Sequence, residues 1–291
     1  MHKYLKSIGF TNLDQKSELD ILLADVRDHY DRKKIVENED HHLFAEISKE
    51  YGYDCGITVC GEYDEDENFQ MEYYFPYFSG SQITSYEEIV VERHAGKESY
   101  AGACDDMRVG ISLIFYLLNA GDYMNVRQNG MLRELQTSLT LSGLAASGTI
   151  LLPVSKNVEQ KEADKKLSQQ RNSLIAAARN GDEDAMESLT MEDIDMYTMI
   201  SRRIQHEDVY TIVDSYFMPY GIECDQYNLM GEITDCNTTV NSQTGEKLYQ
   251  LGLMSNDIPL DICINEKDLL GSPEVGRRFK GVIWLQGMIN F

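Results

Sequence analysis

Cys104, Asp105 and Asp106 stand side by side, with His94 one predicted strand earlier. A hairpin would bring thiol, acid and imidazole together, the set a cysteine nucleophile and its base require. A cysteine inside a strand is more often a small buried hydrophobe, and that plainer reading is the expected one. Asp64-Glu65-Asp66-Glu67-Asn68 opens like a calcium loop, but Phe69 stands where the loop needs glycine and Phe75 where it needs glutamate. A solvated hairpin tip is expected there. His206-Glu207-Asp208-Val209-Tyr210 begins like a zinc-protease helix, yet Tyr210 occupies the place of the second histidine. Cys55 and Cys60 fall on opposite faces of one strand, no Cys-x-x-Cys occurs, and His41-His42 has no ligand set beside it. No metal and no cofactor are therefore expected. Nucleophile elbows, phosphate loops and dinucleotide fingerprints are all missing from the sequence.

Two clusters suit binding better than catalysis. Arg277, Arg278 and Lys280 form the tight basic group of the carboxy-terminal region, close to the single tryptophan, Trp284. An arginine pair beside an aromatic suits an anion or an acidic peptide, although the chain's own surplus carboxylates would also pair with these cations. Tyr73, Phe75 and Tyr77 alternate along one strand and share a face, with Tyr74 and Phe78 on the other. That face is a candidate ligand or partner surface, weighed against tyrosines that simply cover core edges.

These residues need elements to hold them. Ser17-Glu18-Leu19-Asp20 offers a helix entry, and Leu19, Leu22, Leu23, Val26 and Tyr30 recur at helical spacing. The pattern then turns to period two at Leu43, Ala45 and Ile47, and runs of β-branched and aromatic residues follow up to residue 154. Short links join these strands, so antiparallel pairing is expected. Residues 122–136 suggest a helix, and residues 137–144 and 149–154 suggest a last hairpin. From residue 158 to 218 the sequence is helical: one helix ends at Gly181, another is expected to start at Thr190, and a third to span His206 to Tyr216. From Gly221 onward short strands return, with glycines at 231, 252, 281 and 287 marking bulges or sharp bends.

The expected fold class is α+β, in three parts. Residues 1–155 form a sheet-rich antiparallel domain, residues 156–218 a helical connecting segment, and residues 219–291 a small β-barrel for which the oligonucleotide/oligosaccharide-binding (OB) type is the nearest pattern.

Composition narrows the function classes. The net charge is −23, and residues 1–155, 156–218 and 219–291 carry 13, 8 and 5 basic against 26, 13 and 10 acidic side chains. Every part repels a polyanion at long range, which disfavours nucleic acid. Hydrophobic residues make up 42% of the chain, enough for a packed core. The longest apolar stretch, Val109 to Leu118, is too short to span a membrane. MHKYLKSIGF lacks the apolar block of a secretory signal, and six scattered cysteines do not make a disulfide framework, so a cytoplasmic protein is expected.

The segments MHKYLKSIGF, CGEYDEDENFQMEYYFPYF, EDIDMYTMISRR, SYFMPYGIECDQYNLMGEI and GRRFKGVIWLQGMINF together resemble an uncharacterised clostridial (Firmicutes) family, domain of unknown function number 3881. The likeness spans almost the whole chain. It implies a bacterial, cytoplasmic protein whose segments form one architectural unit, and it carries no activity, ligand or catalytic residue. The residues therefore point first to a non-catalytic binding or regulatory protein whose partner is another protein or a small ligand, with no membrane association. An enzyme whose site is assembled from distant strands comes second, and nucleic-acid binding through the barrel third.

Overall fold

The computed structural model describes the chain apart from residues 1, 14, 39–40, 95–97, 107, 110, 132–134, 155–157, 204, 207–208 and 223–224. The Ala95-Gly96-Lys97 turn and the middle of the His206–Tyr210 stretch lie outside the described residues.

After a 3-10 turn over Lys3–Ile8, helix α1 (Lys16–Asp28) begins one residue earlier than Ser17. Its capping box is built by Gln15 and Glu18, whose side chain accepts the Gln15 backbone N–H at 3.2 Å. Leu19, Leu22, Leu23 and Val26 form its buried stripe, as the spacing predicts.

Strands β1 (Arg32–Glu37), β2 (Leu43–Gly52), β3 (Cys55–Tyr63) and β4 (Phe69–Phe78) make a four-stranded antiparallel sheet in that order. The acidic link between β3 and β4 is the expected hairpin tip, held by the Asp64 carboxylate, which accepts the backbone N–H groups of Asp66 and Asn68 at 3.0 and 2.8 Å. β1, with its charged sequence RKKIVE, lies between the two patterns read from the sequence and belongs to neither.

The second sheet combines β5 (Ile89–Arg93), β6 (Tyr100–Asp106), β7 (Ile111–Leu117) and β8 (Ser138–Leu151) with β9 (Tyr216–Pro219), β10 (Gln226–Val240), β11 (Lys247–Ser255), β12 (Ile258–Asn265), β13 (Leu269–Leu270) and β14 (Arg278–Asn290). It is mainly antiparallel, but β8 runs parallel to β12 and β13, and β7 parallel to β14. β8 also pairs antiparallel with β14 along its whole length, so the pairings β8-β12-β11-β10-β14-β8 return to their start.

β8 corrects the expected hairpin over residues 137–154. The Ser147-Gly148 step is not a turn: a Cβ on Gly148 would lie 2.3 Å from Cε2 of Phe279. The glycine makes room for a ring across the strand pair, and β8 continues past it, with its pairing to β14 shifting register at Ala146.

Helices α2 (Ala120–Gln128), α3 (Val158–Arg179), α4 (Glu183–Arg203) and the single turn α5 (Val209–Ile212) complete the chain. α3 ends before Gly181, at φ +87°, as expected. α4 starts at Glu183 and not at Thr190, because the Asp182 carboxylate accepts the Ala185 N–H at 3.1 Å and already supplies the cap.

The elements are those of an α+β protein dominated by antiparallel sheet. The second sheet takes strands from before residue 155 and from after residue 219, and one continuous apolar cluster joins Tyr4 and Leu5, the odd-numbered face of β3 and the interior of β8, β12 and β14. Among the described residues, no helix is long and apolar enough to cross a membrane.

Candidate functional site

Alternation along the first sheet decides what faces the second. Register sets Arg32 opposite Ser48, Lys34 opposite Glu46, Ser48 opposite Thr58, Glu46 opposite Cys60, Cys60 opposite Tyr73 and Gly56 opposite Tyr77. Strand geometry therefore puts Arg32, Lys34, Glu46, Ser48, Thr58, Cys60, Tyr73, Phe75 and Tyr77 on one face, while Ile47, Ile57 and Val59 take the other. Part of that first face, together with Leu118, Asn119, Asp122 and Met288 from the opposite side, encloses a cleft of about 410 Å³.

The cleft is polar at its floor and cationic at its rim. The Ser48 and Thr58 hydroxyls bond to each other at 2.8 Å. Arg32 donates to the Tyr77 hydroxyl at 3.2 Å, with its guanidinium 5.7 Å from the ring centroid, and pairs with Glu50 at 3.3 Å. Lys34 pairs with Asp122 at 2.8 Å.

Glu46 is the unusual member. It is only 8% exposed, and its Oε2 accepts the Gly121 N–H at 2.8 Å in the first turn of α2. Asn119 occupies the capping position of that helix but makes no capping bond. Its amide is engaged instead with the N–H and C=O of Ile289, at 3.1 and 2.9 Å. A carboxyl from another sheet thus satisfies the helix start that the local residue leaves open. Burial pushes the Glu46 carboxyl up to about 7, with Asp122 adding to the rise, while the Gly121 and Ala120 N–H groups and Lys34 oppose it. Next to it, burial raises the Cys60 thiol and the Tyr73 and Tyr116 phenols well above their usual ranges. The floor can thus offer a carboxyl that gains or loses a proton near neutrality, and the rim carries Arg32 and Lys34, with Lys33 between them also among the lining residues.

The family model described as "Domain of unknown function, E. rectale Gene description (DUF3881)" matches residues 5–287. The chain belongs to this family. The match takes in α2 and every residue that lines the cleft except Met288, which follows its last position. No curated protein and no solved structure matches the chain.

The residues picked out in the DUF3881 chain by type and spacing have different placements. Tyr73, Phe75 and Tyr77 do share a face, but only Tyr77 lines the cleft. Tyr73 donates to the Glu98 carbonyl at 2.6 Å, and Phe75 packs edge-on against Tyr116 at 4.8 Å. Arg278 is 6% exposed and donates to three carbonyls, those of Leu152 (3.1 Å), Val213 (2.9 Å) and Tyr210 (2.7 Å). Arg277 pairs with Glu274 at 2.8 Å and donates to the Ser272 carbonyl, and Lys280 donates to the Tyr210 hydroxyl. Trp284 is 5% exposed, donates to Asp225 at 2.6 Å and lies 5.1 Å from the Tyr116 ring. Tyr116 therefore links the two clusters through packed rings, away from the cleft rim.

His94 and Cys104 are not brought together. Cys104 pairs with Ile89 at the far end of β5, while His94 follows Arg93, which pairs with Tyr100. Burial raises the Cys104 thiol to about 11. Among the described residues, no three His, Cys, Asp or Glu side chains gather as a metal site would require.

Sequence reasoning missed Arg32, Lys34, Glu46, Ser48 and Thr58. The one available signal lies in β2, where Phe44, Glu46 and Ser48 alternate with Leu43, Ala45 and Ile47: a strand with phenylalanine on its more polar face covers something on both sides.

Proposed function

We propose that this protein binds a small anionic ligand in the cleft between its two sheets, as a binding or regulatory protein. The observation that carries this is the presentation of Arg32 and Lys34 by one strand of a strongly acidic chain, over a floor of hydroxyl groups. A concave site with a few convergent polar groups is the usual form of a small-ligand pocket. Arg32 and Lys34 already have carboxylate partners, but these pairs are partly exposed. Such pairs contribute about 1 kcal/mol or less, so a ligand can replace them at small cost. The test is a thermal-shift screen with hydroxy acids, sugar acids and sugar phosphates. Stabilisation should disappear when Arg32 and Lys34 are both changed to alanine; an unchanged response in that variant would remove the cleft from consideration.

Glu46 favours a second reading, an enzyme. A buried carboxyl held near neutrality in a cleft is suited to general acid–base work. Turnover of a screened ligand that is lost in Glu46→Gln, with binding retained, would select it.

The same reading takes the ring of five pairings as a small barrel of OB-like type, supported by its glycines and long bent strands. It takes residues 158–212 as a helical unit inserted between two parts that fold together, in a cytoplasmic bacterial protein. Nucleic acid stays the least favoured partner, given the acidic balance of every part.

A further inference from the structure

We infer that the cleft's ligand is a small polyhydroxy acid whose anionic group lies against Glu46, and that binding it takes up one proton from solvent onto that carboxyl. The inference rests on the cleft reading above and adds the ligand's chemistry and its coupling to protons.

Register carries the argument. Lys34 stands opposite Glu46 and Arg32 opposite Ser48, so an anion bridging the two cations lies over the Glu46–Ser48 pair. Its attached hydroxyls then meet Ser48, Thr58 and Tyr77, which line the same floor. Glu46 is enclosed, its Oε2 is held by Gly121, and Lys34 is engaged with Asp122. The groups facing Glu46 are Lys34 from β1, Asp122 from α2, Cys60 from β3, Tyr73 from β4 and Tyr116 from β7. Burial keeps the thiol and both phenols neutral, so only Lys34 and Asp122 bring charge. An arriving anion draws Lys34 from Asp122 and adds negative charge beside Glu46. Two like charges in one enclosed site cannot both persist cheaply. Glu46 accepts a proton, and its O–H then donates to the ligand's anionic oxygen, a charge-assisted bond.

Gluconate is the probe, since its carboxyl stays ionised across the range needed. Titration calorimetry at about pH 6 and about pH 8, each in two buffers of different ionisation heat, counts the protons taken up. Affinity should be roughly tenfold weaker at the higher pH, with net uptake approaching one proton there. Glu46→Gln keeps an acceptor for the Gly121 N–H and should bind equally at both pH values with no uptake. Binding that is lost in Arg32→Ala but shows no proton uptake in the wild-type protein overturns this inference and leaves the cleft reading standing. Uptake that persists in Glu46→Gln overturns it as well. No heat from gluconate or from any other sugar acid, while a sugar phosphate or a simple hydroxy acid binds, overturns the ligand class; no binding by any of the screened anions overturns both readings. The proton count comes from the wild-type protein, so it does not depend on any variant folding.

Discussion

The Glu46 carboxylate accepts the Gly121 backbone N–H at 2.8 Å, tying the second strand of one sheet to the helix that enters the other across 75 residues of chain. A Cβ on Gly121 would lie 2.7 Å from that same Oε2, so the contact exists because residue 121 has no side chain. This bond closes one wall of the cleft and sets the environment in which Glu46 titrates.

Stability should therefore fall as pH rises through the range where Glu46 ionises. The folded carboxyl sits at about 7 against an ordinary 4.5, so between those values the folded state holds a proton that the unfolded state has released. The contribution is most favourable below about pH 4.5 and is lost progressively up to about pH 7. Its size is about 3 kcal/mol. Urea unfolding of wild type and Glu46→Gln at several pH values checks this. The difference between them should grow with pH in favour of the glutamine variant; a constant difference would show that Glu46 does not titrate in this range.

Arg278→Ala should destabilise the protein by about 3 kcal/mol. It leaves three carbonyls, from the residue after β8, from α5 and from the segment before β9, without their common donor in a nearly buried site. Arg278→Lys should rescue little, since one ammonium cannot reproduce the fork that reaches all three. Chemical denaturation measures both, and a lysine variant as stable as wild type would show that charge alone is what the site needs.

How far these features are legible from the chain depends on whether their cause is local. The β3–β4 hairpin could be read because Asp64 binds the turn that follows it, and α1 because its apolar stripe is periodic. β8 could not, since Gly148 answers to the Phe279 ring on a strand more than a hundred residues later. Arg278 looked like part of a surface patch with Arg277 and Lys280, but the strand turns it inward onto carbonyls contributed by three other segments. For Glu46 the alternation in β2 marks only a strand covered on both sides: its role comes from α2, whose own capping residue is engaged with Ile289.

Gly102→Ala should cost about 2 to 3 kcal/mol. The new Cβ would meet the Phe115 ring at 2.1 Å, and Phe115 is fully buried between Gly102 and Gly287, where a Cβ would also come within 2.4 Å. The ring has no free side to move toward, and overpacking of this kind distorts backbone. Pairing the change with Phe115→Leu should recover part of the loss, measured as a double-mutant cycle; additive effects would mean that the strain arises elsewhere.

Trp284 gives a test of whether the sheets unfold as one unit. It lies in β14, yet stacks on Tyr4 at 5.6 Å with an interplanar angle of 20° and sits 4.6 Å from the His2 ring and 5.1 Å from Tyr116 in β7. Its emission therefore depends on groups from both ends of the chain. If residues before 155 and after 219 fold together, tryptophan fluorescence and far-UV circular dichroism of the strands should change at the same denaturant concentration. A chain cut to residues 219–291 should then lack a folding transition, because β8 supplies one of the partners of both β12 and β14 and joins them. Two separated transitions, or a shortened chain that folds with native tryptophan emission, would show that the carboxy-terminal strands close without β8 and that Tyr4 and Tyr116 only cover them.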